Sequence, residues 1–103
     1  MHKDMVELIG KPAMYELLAE ECCELAQASL KMARILRDEN PTPKTEKEVR
    51  AAIIEEVTDV ELCLMELRLK HDGIALGKKI ERFHERWAEA GREGGLFKAR
   101  CGK

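Results

Sequence analysis

Four carboxylates in two short motifs are the residues best suited to chemistry. Glu21 and Glu24 form an E-x-x-E, and Glu56 and Asp59 form an E-x-x-D. Residues three apart share one face of a helix, so each pair projects together wherever its segment is helical. Each pair also interrupts an apolar stripe, where a buried carboxylate without a partner costs several kcal/mol even after relaxation. A cation offsets that cost. Oxygen-only ligands suit a hard divalent ion, Mg²⁺ with Mn²⁺ as a substitute, rather than zinc. Such an ion points to chemistry on phosphates.

Two long helices are needed to position these groups. In the first, Met14, Glu21, Ala28 and Ile35 recur every seven residues beside the row Leu18, Leu25 and Met32. In the second, Val49, Glu56 and Cys63 run beside Ile53, Val60 and Leu67. Glu21 and Glu56 therefore hold seam positions. The spacing predicts a first helix over about Pro12–Asp38, closed by the Asn40-Pro41-Thr42-Pro43 segment, which cannot continue a helix. A second helix is expected from near Thr45, where Thr45-Glu46-Lys47-Glu48 has the form of a capping box. It is expected to reach about Lys70, with Gly73 as its C-terminal breaker. A third helix is expected over about Ile74–Ala90, with Leu76, Ile80, Phe83 and Trp87 as a narrow apolar stripe. Residues 1–11 read as a lead-in, helical around Val6–Ile9 and broken at Gly10. Residues 91–103 read as a Gly-containing tail in which Leu96 and Phe97 could dock on a core.

The short connection makes the first two helices antiparallel neighbours. Positions 21 and 59 have their midpoint at 40, as do 24 and 56. The turn centres near 42, so the two motifs meet within about one turn, roughly 5 Å at ~1.5 Å per residue. Four carboxylates gathered there repel one another and raise their own pKa values unless a cation is present. An acidic pair on a helix is more often a solvated face beside Lys or Arg. Here the basic residues nearest the cluster are few: Lys31 and Arg34 on the first helix, Arg50 and Arg68 at the flanks of the second.

Lys79, Arg82 and Arg86 lie three and four apart on the third helix. They form either a solvated face with intrahelical partners or a phosphate-neutralising one. Glu81 and His84 make a single Glu-x-x-His, the element bundle di-iron sites use from two helices. A carboxylate-bridged di-iron protein is thus one alternative. A non-enzymatic helical interaction module, with buried acidic groups fixing register, is another.

Composition bounds the class. The chain has 103 residues, 37% of them charged and 4% aromatic, which favours an all-α fold of amphipathic helices. The net charge of -2 argues against a nucleic-acid polymer as partner. Cys22, Cys23, Cys63 and Cys101 form no C-x-x-C and read as reduced thiols in a cytoplasmic protein. Neither a signal peptide nor a membrane span is expected.

The stretch Leu18-Ala-Glu-Glu-Cys-Cys-Glu-Leu-Ala-Gln-Ala28, followed by Ile54-Glu-Glu-Val-Thr-Asp-Val60, resembles the MazG-like all-α nucleoside triphosphate pyrophosphohydrolases. Their signature is E-x-x-E, a spacer, then E-x-x-D. The resemblance covers roughly residues 12–90 of one domain spanning 1–103. The spacer, residues 25–55, is longer than usual in that family, and the extra length fits the Asn40–Thr45 connection. The resemblance implies that Glu21, Glu24, Glu56 and Asp59 hold Mg²⁺, and that Lys79, Arg82 and Arg86 face the phosphates of a nucleoside triphosphate. It further implies that water attacks between the α and β phosphates, giving a nucleoside monophosphate and pyrophosphate. Glu21 or Glu24 is the first choice as general base, with Glu20 and Glu55 outside candidates. Members are dimeric or tetrameric, so a homo-oligomer is expected to complete a four-helix-type bundle from paired hairpins. Apolar stripes on all three helices, more than one hairpin covers, agree with that.

Overall fold

The computed structural model describes residues 3–39 and 43–92. All regular secondary structure among them is helical: α1 (Met5–Ile9), α2 (Lys11–Leu36), α3 (Glu46–Glu66) and α4 (Gly73–Arg92). The chain divides into two compact units, Met1–Lys70 and His71–Lys103. None of the helices is long and apolar enough to cross a membrane.

The first unit is the expected hairpin. At ~1.5 Å per residue, the 26 residues of α2 and the 21 of α3 make rods roughly 39 and 31 Å long. Both predicted seams face inward. Met14, Val49 and Cys63 are the fully buried side chains among the described residues, and Leu18, Leu25, Met32, Ile53, Val60 and Leu67 are half-buried beside them. Burying Met14 and Val49 contributes about 1.5–3 kcal/mol each, a thin core for a domain of this size.

Thr45 caps α3 with the predicted box. The Glu48 N–H donates to Thr45 Oγ1 at 3.1 Å, and the Thr45 N–H donates to Glu48 Oε1 at 3.0 Å. The bond from the Thr45 N–H and a second from the Thr45 hydroxyl, which donates to the same Oε1 at 3.1 Å, hold the Glu48 carboxyl below the ordinary range. α1 packs against α2. The junction turns at Gly10, whose φ of 87° and ψ of 157° belong to a region essentially reserved for glycine. Pro12 follows in the first turn of α2, where its missing N–H costs nothing. The Val6 N–H donates to Glu66 Oε1 at 3.0 Å, tying the lead-in to the open end of the hairpin.

The helix ends differ from the expectation. α2 stops at Leu36 and α3 at Glu66, before the prolines and before Gly73. Both close in a Schellman motif. Glu39 N–H donates to the Arg34 carbonyl at 3.0 Å and Asp38 N–H to that of Ile35 at 3.1 Å; Leu69 N–H donates to Leu64 at 2.9 Å and Arg68 N–H to Met65 at 3.0 Å. The left-handed residues are Asp38 (φ 55°) and Arg68 (φ 57°) rather than glycines. Gly73 is not a breaker but the first residue of α4. Asp72 caps that helix, its Oδ1 accepting from the N–H groups of Ile74 at 2.9 Å and Ala75 at 3.1 Å.

In the second unit, the apolar side of α4 is exposed along Leu76, Ile80, Phe83 and Trp87. The expected docking of Leu96 and Phe97, and the path of residues 40–42, lie outside the described residues.

Candidate metal centre

The heptad rows carry the site. Seven residues separate Glu56 from Val49 on one side and from Cys63 on the other, and both neighbours are buried. Glu56 must therefore enter the same seam. Glu21 does so from α2, seven residues after the buried Met14. Glu24, one turn on, sits at the edge of the seam and is exposed. One carboxylate oxygen from each of Glu21, Glu24 and Glu56 lies within 4.8 Å of the others. Among the described residues this is the one group of three or more His, Cys, Asp or Glu side chains so placed.

Asp59 is half-buried and stands outside this closest set, but its charge acts on both Glu21 and Glu56. Burial raises the Glu21 carboxyl above its ordinary range, and the charges of Glu24 and Asp59 raise it further. Burial also raises Glu56, followed by a hydrogen bond that a protonated Glu56 carboxyl gives to Glu24 and by the like charge of Glu24. The donor chemistry fits a hard divalent cation. Glu21 Oε2 and Glu56 Oε2 are buried and have no hydrogen-bond partner, so a group that accepts their lone pairs is what the pocket lacks.

The remaining candidates separate by position. Glu20 and Glu55 are exposed beside the cluster, and Glu20 adds its charge to that on Glu21. Lys79, Arg82 and Arg86 are exposed on α4, in the second unit. The Arg86 guanidinium lies 5.6 Å from the centroid of the Phe83 ring, a cation–π contact that gives it a local role within α4. Glu81 and His84 are exposed on the same helix and belong to no metal-type cluster among the described residues. Cys22, Cys23 and Cys63 are free thiols. Burial pushes the Cys63 thiol up, as do the charges of Glu21 and Asp59, so it sits beside the carboxylates as a neutral, inert group.

One feature was not legible in the sequence. A cleft of about 420 Å³ opens beside the cluster, towards the turn of the hairpin. Glu24 and Glu56 line it together with Gln27, Lys31 and Lys44. Lys31 was visible only as a basic residue near the motifs. Lys44 immediately precedes the α3 cap Thr45, outside either helical repeat. No protein-family model, curated protein or solved structure matches the chain.

Proposed function

We propose that this chain is an Mg²⁺-dependent nucleoside triphosphate pyrophosphohydrolase of the MazG-like kind, releasing a nucleoside monophosphate and pyrophosphate. The observation that carries the reading is the pair of buried, unpartnered oxygens of Glu21 and Glu56 within a three-carboxylate cluster. Carboxylates that merely decorate a helix point to water, and these do not. Glu21, Glu24 and Glu56, with Asp59 beside them, would hold the ion. When bound, Mg²⁺ (or Mn²⁺) cancels repulsion between this cluster and a triphosphate and supports charge on the phosphoryl oxygens.

The chain's own groups supply the rest. Glu24 is the accessible member of the cluster and takes the proton of the attacking water, with Glu21 as the second choice. The water oxygen bonds to the α-phosphorus. The bond from that phosphorus to the α–β bridging oxygen breaks, and pyrophosphate leaves with the electron pair. Lys79, Arg82 and Arg86 are the proposed phosphate contacts from α4.

We also propose a homodimer or homotetramer that completes a four-helix-type bundle. Ile54, Val57, Leu62 and Met65 are exposed and share the side of α3 opposite its buried row. A solvated monomer has no use for that face. The free thiols agree with a cytoplasmic setting.

The exposed stripe of α4 favours a second reading, a non-enzymatic interaction module. One assay separates the two. Purified protein with Mg²⁺ and a panel of nucleoside triphosphates is read for released pyrophosphate, and Mn²⁺ is tried in parallel. Turnover that stops on chelation is expected. No turnover with either ion would overturn the enzyme reading and leave the interaction module.

A further inference from the structure

We infer that the cleft beside the carboxylate cluster is the subsite for the polyphosphate tail of the substrate, with Lys31 and Lys44 as its cationic wall. The inference rests on the proposed function for the identity of the substrate, but its physical basis is separate.

The cleft is sized for a small molecule: about 420 Å³, within the roughly 300–1,000 Å³ of typical ligand sites. Its charges are segregated. Glu24 and Glu56 stand at the cluster end. Lys31 follows Glu24 by seven residues on α2, two turns or roughly 10 Å along the axis. Lys44, in the segment before the α3 cap, lines the same cleft and brings a second ammonium to it.

Opposite charges that line one small cleft would normally collapse into ion pairs. Here they do not. The ion pair present among the described residues joins Arg37 to Glu39, outside the cleft. The charge of Lys44 acts on Glu48, whose carboxylate is already committed to the Thr45 cap. Carboxylates at one end and ammonium groups at the other suit a ligand carried on a divalent cation at its first end and still anionic at its second. A metal-bound polyphosphate has that form.

The described walls suit a phosphate chain better than a base. Among the described residues no aromatic side chain lines the cleft, so none of them offers a base a ring to stack on there. Ala28, Val49 and Ala52 supply a small, featureless floor. The Gln27 amide also lines the cleft and can donate to a phosphoryl oxygen.

The test uses inorganic tripolyphosphate, which has the tail and no base. Its binding to the full chain is measured by calorimetry with Mg²⁺ present, for the native protein and for the Lys31→Ala/Lys44→Ala double variant. The native protein is expected to bind it, and the double variant at least about tenfold more weakly. Both should bind Mg²⁺ alone with equal affinity and show equal helicity. The Lys31→Arg/Lys44→Arg variant should restore most of the binding. In turnover, the alanine pair should raise KM.

Tripolyphosphate that binds both proteins within twofold, or does not bind the native protein, would overturn the subsite. These outcomes are independent of the enzyme assay. Lysine-dependent binding without turnover of any nucleotide keeps the subsite and removes the enzyme reading. Turnover with unchanged KM in the alanine pair does the reverse.

Discussion

Glu21 on α2 and Glu56 on α3 meet across the hairpin seam, each with its Oε2 buried and without a hydrogen-bond partner. The two carboxylates occupy slots that heptad spacing otherwise gives to Met14, Val49 and Cys63. Their repulsion works against the packing on either side.

Replacing Glu56 with Gln keeps the shape and removes one charge. The metal-free variant should melt higher than the native protein. Its stabilisation by added Mg²⁺ should fall sharply, with metal affinity down by at least about 10–100-fold, the loss that follows even from removing a partner that supports a ligand. Thermal melts with and without Mg²⁺ check both halves. A variant that melts lower than native without metal would mean that Glu56 packs or bonds favourably, contrary to its unpartnered oxygen.

The same pair sets a pH dependence with a definite sign. Both carboxyls titrate above their ordinary 4.5 in the folded chain. The folded state thus binds more protons than the unfolded state between 4.5 and the raised values. Stability from these two groups is fully present below 4.5 and is lost as pH rises through the raised values. Glu48 acts oppositely: its capping contribution is present above 4.5 and is lost as pH falls through its lowered value. Metal-free protein should therefore be more stable in mild acid than at neutrality, and should weaken again in stronger acid. Urea midpoints across pH measure this, and saturating Mg²⁺ should remove the neutral-side deficit.

Arg82→Ala separates phosphate binding from metal binding. Loss of one charge-assisted contact should weaken nucleotide binding by about 1.5–3 kcal/mol, or roughly 10–150-fold, with Mg²⁺ affinity unchanged. Titration of each ligand separately is the measurement. Equal loss of both would count against Arg82 as a phosphate contact.

Arg68→Gly tests the end of α3. Arg68 holds a φ of 57°, which costs an L-residue roughly 1–2 kcal/mol and glycine nothing sterically. Glycine gives back about 0.5–1 kcal/mol in backbone entropy. A net gain of about 0.5–1 kcal/mol is expected, read from denaturant midpoints at constant slope. A loss would show that the Arg68 side chain makes contacts worth more than the strain.

Periodicity determined much of this molecule before any folding was considered. The rows Met14–Glu21–Ala28 and Val49–Glu56–Cys63 are local patterns, and helical geometry alone turns them into faces. The shared midpoint at residue 40 then places Glu21, Glu24 and Glu56 at one height, because an antiparallel hairpin allows little else. The Thr45–Glu48 box was equally legible, being complete within four residues.

Helix ends were less so. Their usual signal is glycine, whereas here Asp38 and Arg68 take the left-handed turn, stabilised by backbone bonds that form only once the chain has reversed. Tertiary structure alone decided two further matters. It sealed one oxygen each of Glu21 and Glu56 from solvent while leaving Glu24 open, since burial depends on how closely two rods approach. It also brought Lys31 and Lys44 onto one cleft with the carboxylates, because Lys44 lies outside both helical repeats and no periodicity in the sequence places it.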